Sequence, residues 1–263
     1  MLLGIVACGL EGSTPASSPT IAARAVVAAQ DSIPAGLQKL VQAYPQQSFK
    51  ATNNALVWAD GFSLIYQDSS TWPSFQDSLE APNLALQLAQ GYPKGEDYSI
   101  PNLNHDPGRI RVEAFFEKMY GASKAAVQAN LVRVDFLGTP VKITRVNNVH
   151  QHLEAVVKAL QQHPEWHPYC VPTAGTFNWR VIAGTNRKSS HSYGIAIDLN
   201  VKWANYWRWA VGEKNTAHKR AIIYKNRLPL GLIALFEQEG FIWGGKWYHY
   251  DTMHFEYRPE LLL

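Results

Sequence analysis

The sequence predicts an α+β fold: a small antiparallel sheet with flanking helices, preceded by an N-terminal tether and extension. Three observations lead there. Of 263 residues, 46% are hydrophobic and 17% charged, enough apolar material to bury a sizeable core. Strand-like and helix-like stretches are mixed without regular alternation, which argues against a parallel sheet built from βαβ units. Strand candidates come in pairs around short turns, the pattern of hairpins. The net charge is +3 with no long basic run, so a nucleic-acid partner is disfavoured, because phosphate binding needs clustered basic residues. The 9 Trp and 12 Tyr, many in the second half, suit peptide or sugar surfaces, although core packing accounts for most of them.

Residues 1–35 read as a leader-like segment and a flexible tether. "IVAC" (5–8) looks like a lipobox, which would make Cys8 the point of a lipid anchor. The apolar run before it is too short to span a bilayer and has no basic stretch ahead, so a complete signal peptide would need upstream residues. Residues 9–35 are rich in Ala, Ser, Thr and Pro and bury too little apolar surface to offset ordering. Cys170 is then a lone thiol, expected in the core.

Residues 36–130 form an N-terminal extension. "GLQKLVQAY" (36–44) predicts a short amphipathic helix. Apolar runs on either side of Asp60-Gly61 predict a hairpin over 54–68. "SSTWPSFQDSLEAPNL" (69–84) reads as a loop. Residues 106–121 read as a turn followed by a helix with Ile110, Val112, Phe115, Phe116 and Met119 on one face and Gly121 at its end; "SKAAVQANL" continues as a second helical piece.

Residues 131–263 carry a different pattern. "LVRVDFLGTPVKITR" (131–145) predicts two strands around Leu137-Gly138. Val149, Leu153, Val156, Val157 and Leu160 fall at helical spacing within 147–163. "TFNWRVIAG" (176–184) is a strand candidate and "YGIAIDLNV" (193–201) a central strand. A helix runs from about Pro229 to Glu239 with Gly240 as its cap. "FIWGGKWYHYDTMHFEYR" (241–258) reads as strand, Gly-Gly turn, strand.

The chemistry concentrates at two places. His191 and Asp198 bracket the apolar run of "SSHSYGIAIDL", and Asp251 stands three residues before His254 in "DTMHFE". Two histidines and an aspartate suffice for a catalytic zinc, which uses three protein ligands and keeps one position open. Such a zinc lowers the pKa of its water to roughly 7 and works with a nearby non-ligand carboxylate as general base and acid. Asp251 suits that role, leaving His191, Asp198 and His254 as ligands to one Zn2+. On a strand, Asp198 shares a face with the small residues Ala196 and Asn200, and Ile197 and Leu199 point to the core. His254 and Glu256 share a face of the last strand, so Glu256 can orient His254. Asp251 lies an odd number of residues from His254, so both reach one zinc only if the chain bends near Thr252. His150 and His152 diverge on a helix and carry no site. His249 has no assigned role. Trp203, Trp207 and Trp209 are candidates for a cleft wall or the core.

These residues also carry a resemblance. "SSHSYGIAIDL" matches the S-x-H-x-x-G-x-A-x-D pattern of bacterial zinc peptidases of the cell wall, the D-Ala-D-Ala carboxypeptidases and L-alanyl-D-glutamate endopeptidases. "DTMHFE" is similar to their C-terminal acid-x-x-His segment. The resemblance covers about residues 131–263 and leaves 1–130 uncovered. It implies His191, Asp198 and His254 as zinc ligands, Asp251 as acid/base, Ser189 as a hydrogen-bonding support and Arg180 as a substrate-facing arginine. It also implies hydrolysis of a peptidoglycan peptide in the bacterial envelope. A carboxypeptidase needs a closed pocket and an endopeptidase an open groove; the residues do not choose between them. The rival reading is a zinc-stabilised module that holds wall peptide without cutting it, for which a base at Asp251 has no use. A serine hydrolase using Ser189 or Ser190 is disfavoured, since no nucleophile-elbow pattern surrounds either.

Overall fold

The chain's two distant motifs meet in a three-stranded antiparallel sheet. The computed structural model describes residues 32–95, 101–211 and 222–263, and Ser32–Leu263 form one compact unit. Residues 1–31, including Cys8, lie outside the described residues.

Helix α1 (Ala35–Ala43) buries Leu37 and Leu40, the stripe that its sequence predicts. Strands β1 (Phe49–Ala51), β2 (Ala55–Trp58) and β3 (Ser63–Ile65) make an antiparallel sheet, with the expected hairpin between β2 and β3. Residues 69–84 are not simply a loop. Ser74 caps α2 (Phe75–Glu80) by accepting from the Asp77 N–H at 3.2 Å, and Asn83 caps α3 (Leu84–Gln87) by accepting from Leu86 at 3.0 Å. These two side-chain caps are what the Ser- and Pro-rich composition conceals. Helix α4 (Glu113–Tyr120) starts later than its apolar spacing suggests, so Ile110 and Val112 precede it in an extended approach. Helix α5 (Lys124–Gln128) follows, capped by Ser123.

Strands β4 (Leu131–Phe136) and β5 (Thr139–Thr144) pair along their whole length around Leu137-Gly138. Helix α6 (Val149–Leu160) buries the five predicted apolar residues, and the short α7 (His167–Cys170) buries Cys170. The segment 176–184 is no strand. It makes an isolated bridge between Val181 and Lys188, because the chain doubles back, with the Ile182 N–H donating to the Arg187 carbonyl at 2.8 Å.

Strand β6 (Ala196–Asp198), helices α8 (Trp207–Val211) and α9 (Leu230–Gln238), and strands β7 (Phe241–Trp243) and β8 (His254–Tyr257) complete the fold. The sheet order is β6-β8-β7, so the central strand is β8 and β6 lies at the edge, a correction to the sequence expectation. Apolarity reports burial rather than the number of strand partners. Ile195, Ile197 and Leu199 are fully buried although their strand is an edge, because other parts of the fold cover that face. One apolar core runs from Leu37, Tyr44 and Trp58 of the extension through Phe115 and Phe116 to Ile197 and Phe255 beneath the site.

Candidate active site

His191 stands on a 3-10 turn (Ser190–Tyr193) that ends at Gly194, whose φ is +68°. A Cβ there would lie 2.6 Å from the Leu131 side chain, so only glycine lets this turn press against β4 and aim His191 inward. Asp198 ends β6, and His254 opens β8 directly opposite it in the ladder. Among the described residues, His191, Asp198 and His254 offer ligand atoms that all lie within 4.8 Å of one another. His191 Nε2 and His254 Nδ1 are 3.2 Å apart, His254 Nδ1 and Asp198 Oδ1 2.9 Å, and His191 Nε2 and Asp198 Oδ1 3.2 Å. A tetrahedral zinc with bonds of roughly 2.0–2.1 Å spaces its ligand atoms roughly 3.3 Å apart. The near-equilateral triangle of two nitrogens and one carboxylate oxygen therefore fits zinc in donor type and in size.

The remaining ring nitrogens are placed to fix the ligands. His191 Nδ1 faces the Thr176 carbonyl at 2.5 Å, and His254 Nε2 faces Glu256 Oε2 at 3.0 Å. With both of these nitrogens donating, the nitrogens that face the triangle are left with free lone pairs, as a metal requires. Ser190 Oγ lies 3.3 Å from His254 Nε2. Glu256 is itself held by Arg111 at 3.4 Å and Arg258 at 3.2 Å. Arg258 continues to Glu260 at 2.6 Å, and Glu260 accepts from the Tyr44 hydroxyl at 2.6 Å. This buried chain ties the site to α1 and to the 101–112 segment of the extension.

The electrostatics follow from these contacts. Burial opposes the charge on Asp198, but His191 and His254 outweigh it and hold the carboxyl far below its ordinary range. Burial likewise works against Glu256, and Arg111, His254 and Arg258 outweigh it. For His254, burial favours the neutral ring, yet hydrogen bonds to Asp198 and Glu256 raise its pKa to about 10 without a metal.

Asp251 arrives beside the triangle by the bend that its sequence position requires. The His254 N–H donates to the Asp251 carbonyl at 3.2 Å, closing a turn immediately before β8. Asp251 also bridges Tyr206, and its N–H donates to the Gly244 carbonyl at 3.0 Å. A Cβ on Gly244 would stand 2.6 Å from the Asp251 carbonyl oxygen, which explains one glycine of the Gly-Gly turn. Asp251 Oδ1 is enclosed and has no hydrogen-bond partner. Burial, and then the negative charge of Asp198, push the Asp251 carboxyl up to about 6. An unpartnered carboxylate oxygen beside the triangle makes Asp251 a candidate proton acceptor.

Asp251 and the triangle line a cavity of about 150 Å³. Arg180 and Ser189 line it too. Arg180 is exposed, and its backbone is clamped by Ser192, whose Oγ accepts from the Arg180 N–H at 2.9 Å and donates to its carbonyl at 2.8 Å. The serine hydroxyl that touches the ligand cluster is that of Ser190, whereas Ser189 contributes cavity wall. Asn200 does not share the face of Asp198: its amide donates to the carbonyls of Pro168 and Val171. Sequence reading missed Thr176, Ser190 and the further wall arginines Arg109, Arg111, Arg187 and Arg208. His249, left without a role, pairs with buried Asp106 at 2.6 Å. His152 pairs with Glu239, and Trp207 is buried while Trp209 is exposed.

Residues 183–257 match a family model described as D-alanyl-D-alanine carboxypeptidase. The matched span contains the three ligand residues and Asp251, and leaves out Thr176, Arg180 and the extension. Neither the curated proteins nor the solved structures contain a significant match to the chain.

Proposed function

We propose that this chain, a metallopeptidase with a D-alanyl-D-alanine carboxypeptidase segment at residues 183–257, is a zinc enzyme that hydrolyses peptidoglycan stem peptides. The bond cut is D-Ala-D-Ala or L-Ala-D-Glu. The observation that carries the reading is the unpartnered Asp251 carboxylate beside the His191–Asp198–His254 triangle. A module that only held wall peptide would gain nothing from an enclosed carboxylate oxygen kept without a partner.

His191, Asp198 and His254 would hold the zinc, with Glu256 and the Thr176 carbonyl fixing the two rings. Bound there, zinc supplies Lewis-acid activation of water and of the scissile carbonyl. Asp251 accepts the proton of the attacking water and passes it to the nitrogen of the leaving amine. Burial raises the Asp251 pKa above the ordinary carboxylate range in the metal-free protein, which strengthens it as a proton acceptor. Arg180 pairs with substrate carboxylate across the exposed mouth. A bacterial envelope address and a lipid anchor at Cys8 belong to the same reading, because that is where such a substrate lies.

Digestion of purified muropeptides followed by mass spectrometry tests this. Loss of a terminal alanine identifies a carboxypeptidase and cleavage between alanine and glutamate an endopeptidase. Intact peptides after prolonged incubation with zinc-loaded protein would sink the reading.

A further inference from the structure

The cavity wall is unusually cationic. Arg109 and Arg111 come from the extension, Arg180 and Arg187 from the doubled-back 176–189 segment, and Arg208 from α8. Arg111 is neutralised by Glu256 and Arg187 by Glu80. Among the described residues, Arg109, Arg180 and Arg208 have no carboxylate within salt-bridge distance. Arg109 donates to the His249 carbonyl at 3.0 Å and lies 5.6 Å over the Trp247 ring. Arg208 lies 5.3 Å over the Trp207 ring. All three line the same cavity as Tyr206 and the His191–Asp198–His254 triangle.

The carboxylates on this wall are Asp198 and Asp251, one a metal-ligand candidate and the other the proposed base. Five arginines thus stand on one wall, and three of them, Arg109, Arg180 and Arg208, form no ion pair among the described residues. Arg187 registers the crowding: burial, with Arg111 and Arg109 adding repulsion, lowers its pKa to about 10 against the pull of Glu80. Like charges gathered in a half-enclosed cavity oppose folding, and an anionic ligand relieves them. One terminal carboxylate engages one or two guanidinium groups, which leaves the third able to take another acidic group.

We propose that the site takes a peptide that carries at least two free carboxylates near the scissile amide, and that Arg109, Arg180 and Arg208 bind them. Arg109 thus makes the extension a determinant of specificity. The proposal rests on the peptidase reading above. A γ-linked glutamate offers one such carboxylate, since its α-carboxyl stays free, and the chain end offers another.

The probe is an N-acetylated peptide containing Ala-γ-Glu and ending in Ala-Ala, made with both carboxylates free, with either one amidated, and with both amidated. Two quantities are read: kcat/KM of the zinc-loaded protein, and the dissociation constant of each peptide for zinc-loaded Asp251→Asn. Each amidation is expected to weaken binding and lower kcat/KM by about 10- to 100-fold, mainly through KM. Arg109→Gln, Arg180→Gln and Arg208→Gln should each show this loss on the diacid and lose their effect on the peptide lacking the matching carboxylate. Cleavage or binding indifferent to amidation overturns the proposal and leaves the peptidase reading standing. Carboxylate-selective binding without cleavage overturns the peptidase reading instead. Equal losses in the arginine variants across all four peptides would show a general structural effect and overturn the assignment of the arginines.

Discussion

Asp198 and His254 are direct partners across the β6–β8 ladder, and their Oδ1 and Nδ1 atoms stand 2.9 Å apart. The ladder register itself thus brings together two candidate ligands that lie far apart in the chain, and the turn at Ser190–Tyr193 adds His191 from one side. Without a metal, hydrogen bonds to Asp198 and Glu256 raise the His254 pKa to about 10 against burial, which favours the protonated ring at neutral pH.

Metal uptake should therefore displace that proton. Because His254 titrates near 10 in the metal-free protein, zinc binding at pH 7.5 is expected to release close to one proton from it. Calorimetry in buffers of differing ionisation enthalpy measures this number. No buffer dependence would show that His254 is neutral before zinc arrives.

The same shift sets a pH dependence of stability. A histidine whose folded pKa is raised stabilises the fold fully below its unfolded pKa of about 6.5, and that contribution is lost as pH rises towards about 10. The metal-free protein should lose thermal stability over this window, and the zinc-loaded protein should lose less. Thermal melts at pH 6.5, 8 and 9.5, with and without zinc, check it. Parallel curves would contradict the assignment.

Asp251→Asn should keep zinc and lose kcat by about 10²- to 10⁴-fold, the usual worth of a general acid–base group. Zinc content by elemental analysis and turnover on wall peptides decide it. In the parent enzyme, activity should fall as pH drops through 6 or somewhat below, because only the ionised carboxylate accepts a proton and a bound cation favours ionisation. Near-parental turnover in the asparagine variant would remove Asp251 from the chemistry.

Glu256→Gln should weaken zinc binding by about 10- to 100-fold, because His254 loses the anion that orients it. It should also destabilise the protein by about 3–5 kcal/mol, since buried Arg111 and Arg258 are left without their shared carboxylate. Competition with a chromophoric chelator and denaturant melts measure the two effects. Parental zinc affinity in this variant would mean that Glu256 serves the fold alone.

That His191, Asp198 and His254 come together was legible because their spacing reflects local backbone: a turn, a strand and a bend each leave a trace in "SSHSYGIAIDL" and "DTMHFE". Even the bend before His254 follows from the odd separation of Asp251, and the structure builds it as a turn leaning on Gly244. Thr176 and Arg109 were not legible. Thr176 acts through its carbonyl, which every residue has, and Arg109 reaches the cavity only because the 101–112 segment folds against the C-terminal sheet. The helices within 69–84 were hidden because a capping Ser or Asn looks like a loop residue until its hydrogen bond is seen.

The most direct test of the central claim is metal removal and return. Protein stripped with a chelator and dialysed should cleave no wall peptide, and zinc added back should restore cleavage in proportion, saturating near one zinc per chain. Full activity in the presence of excess chelator would contradict the account.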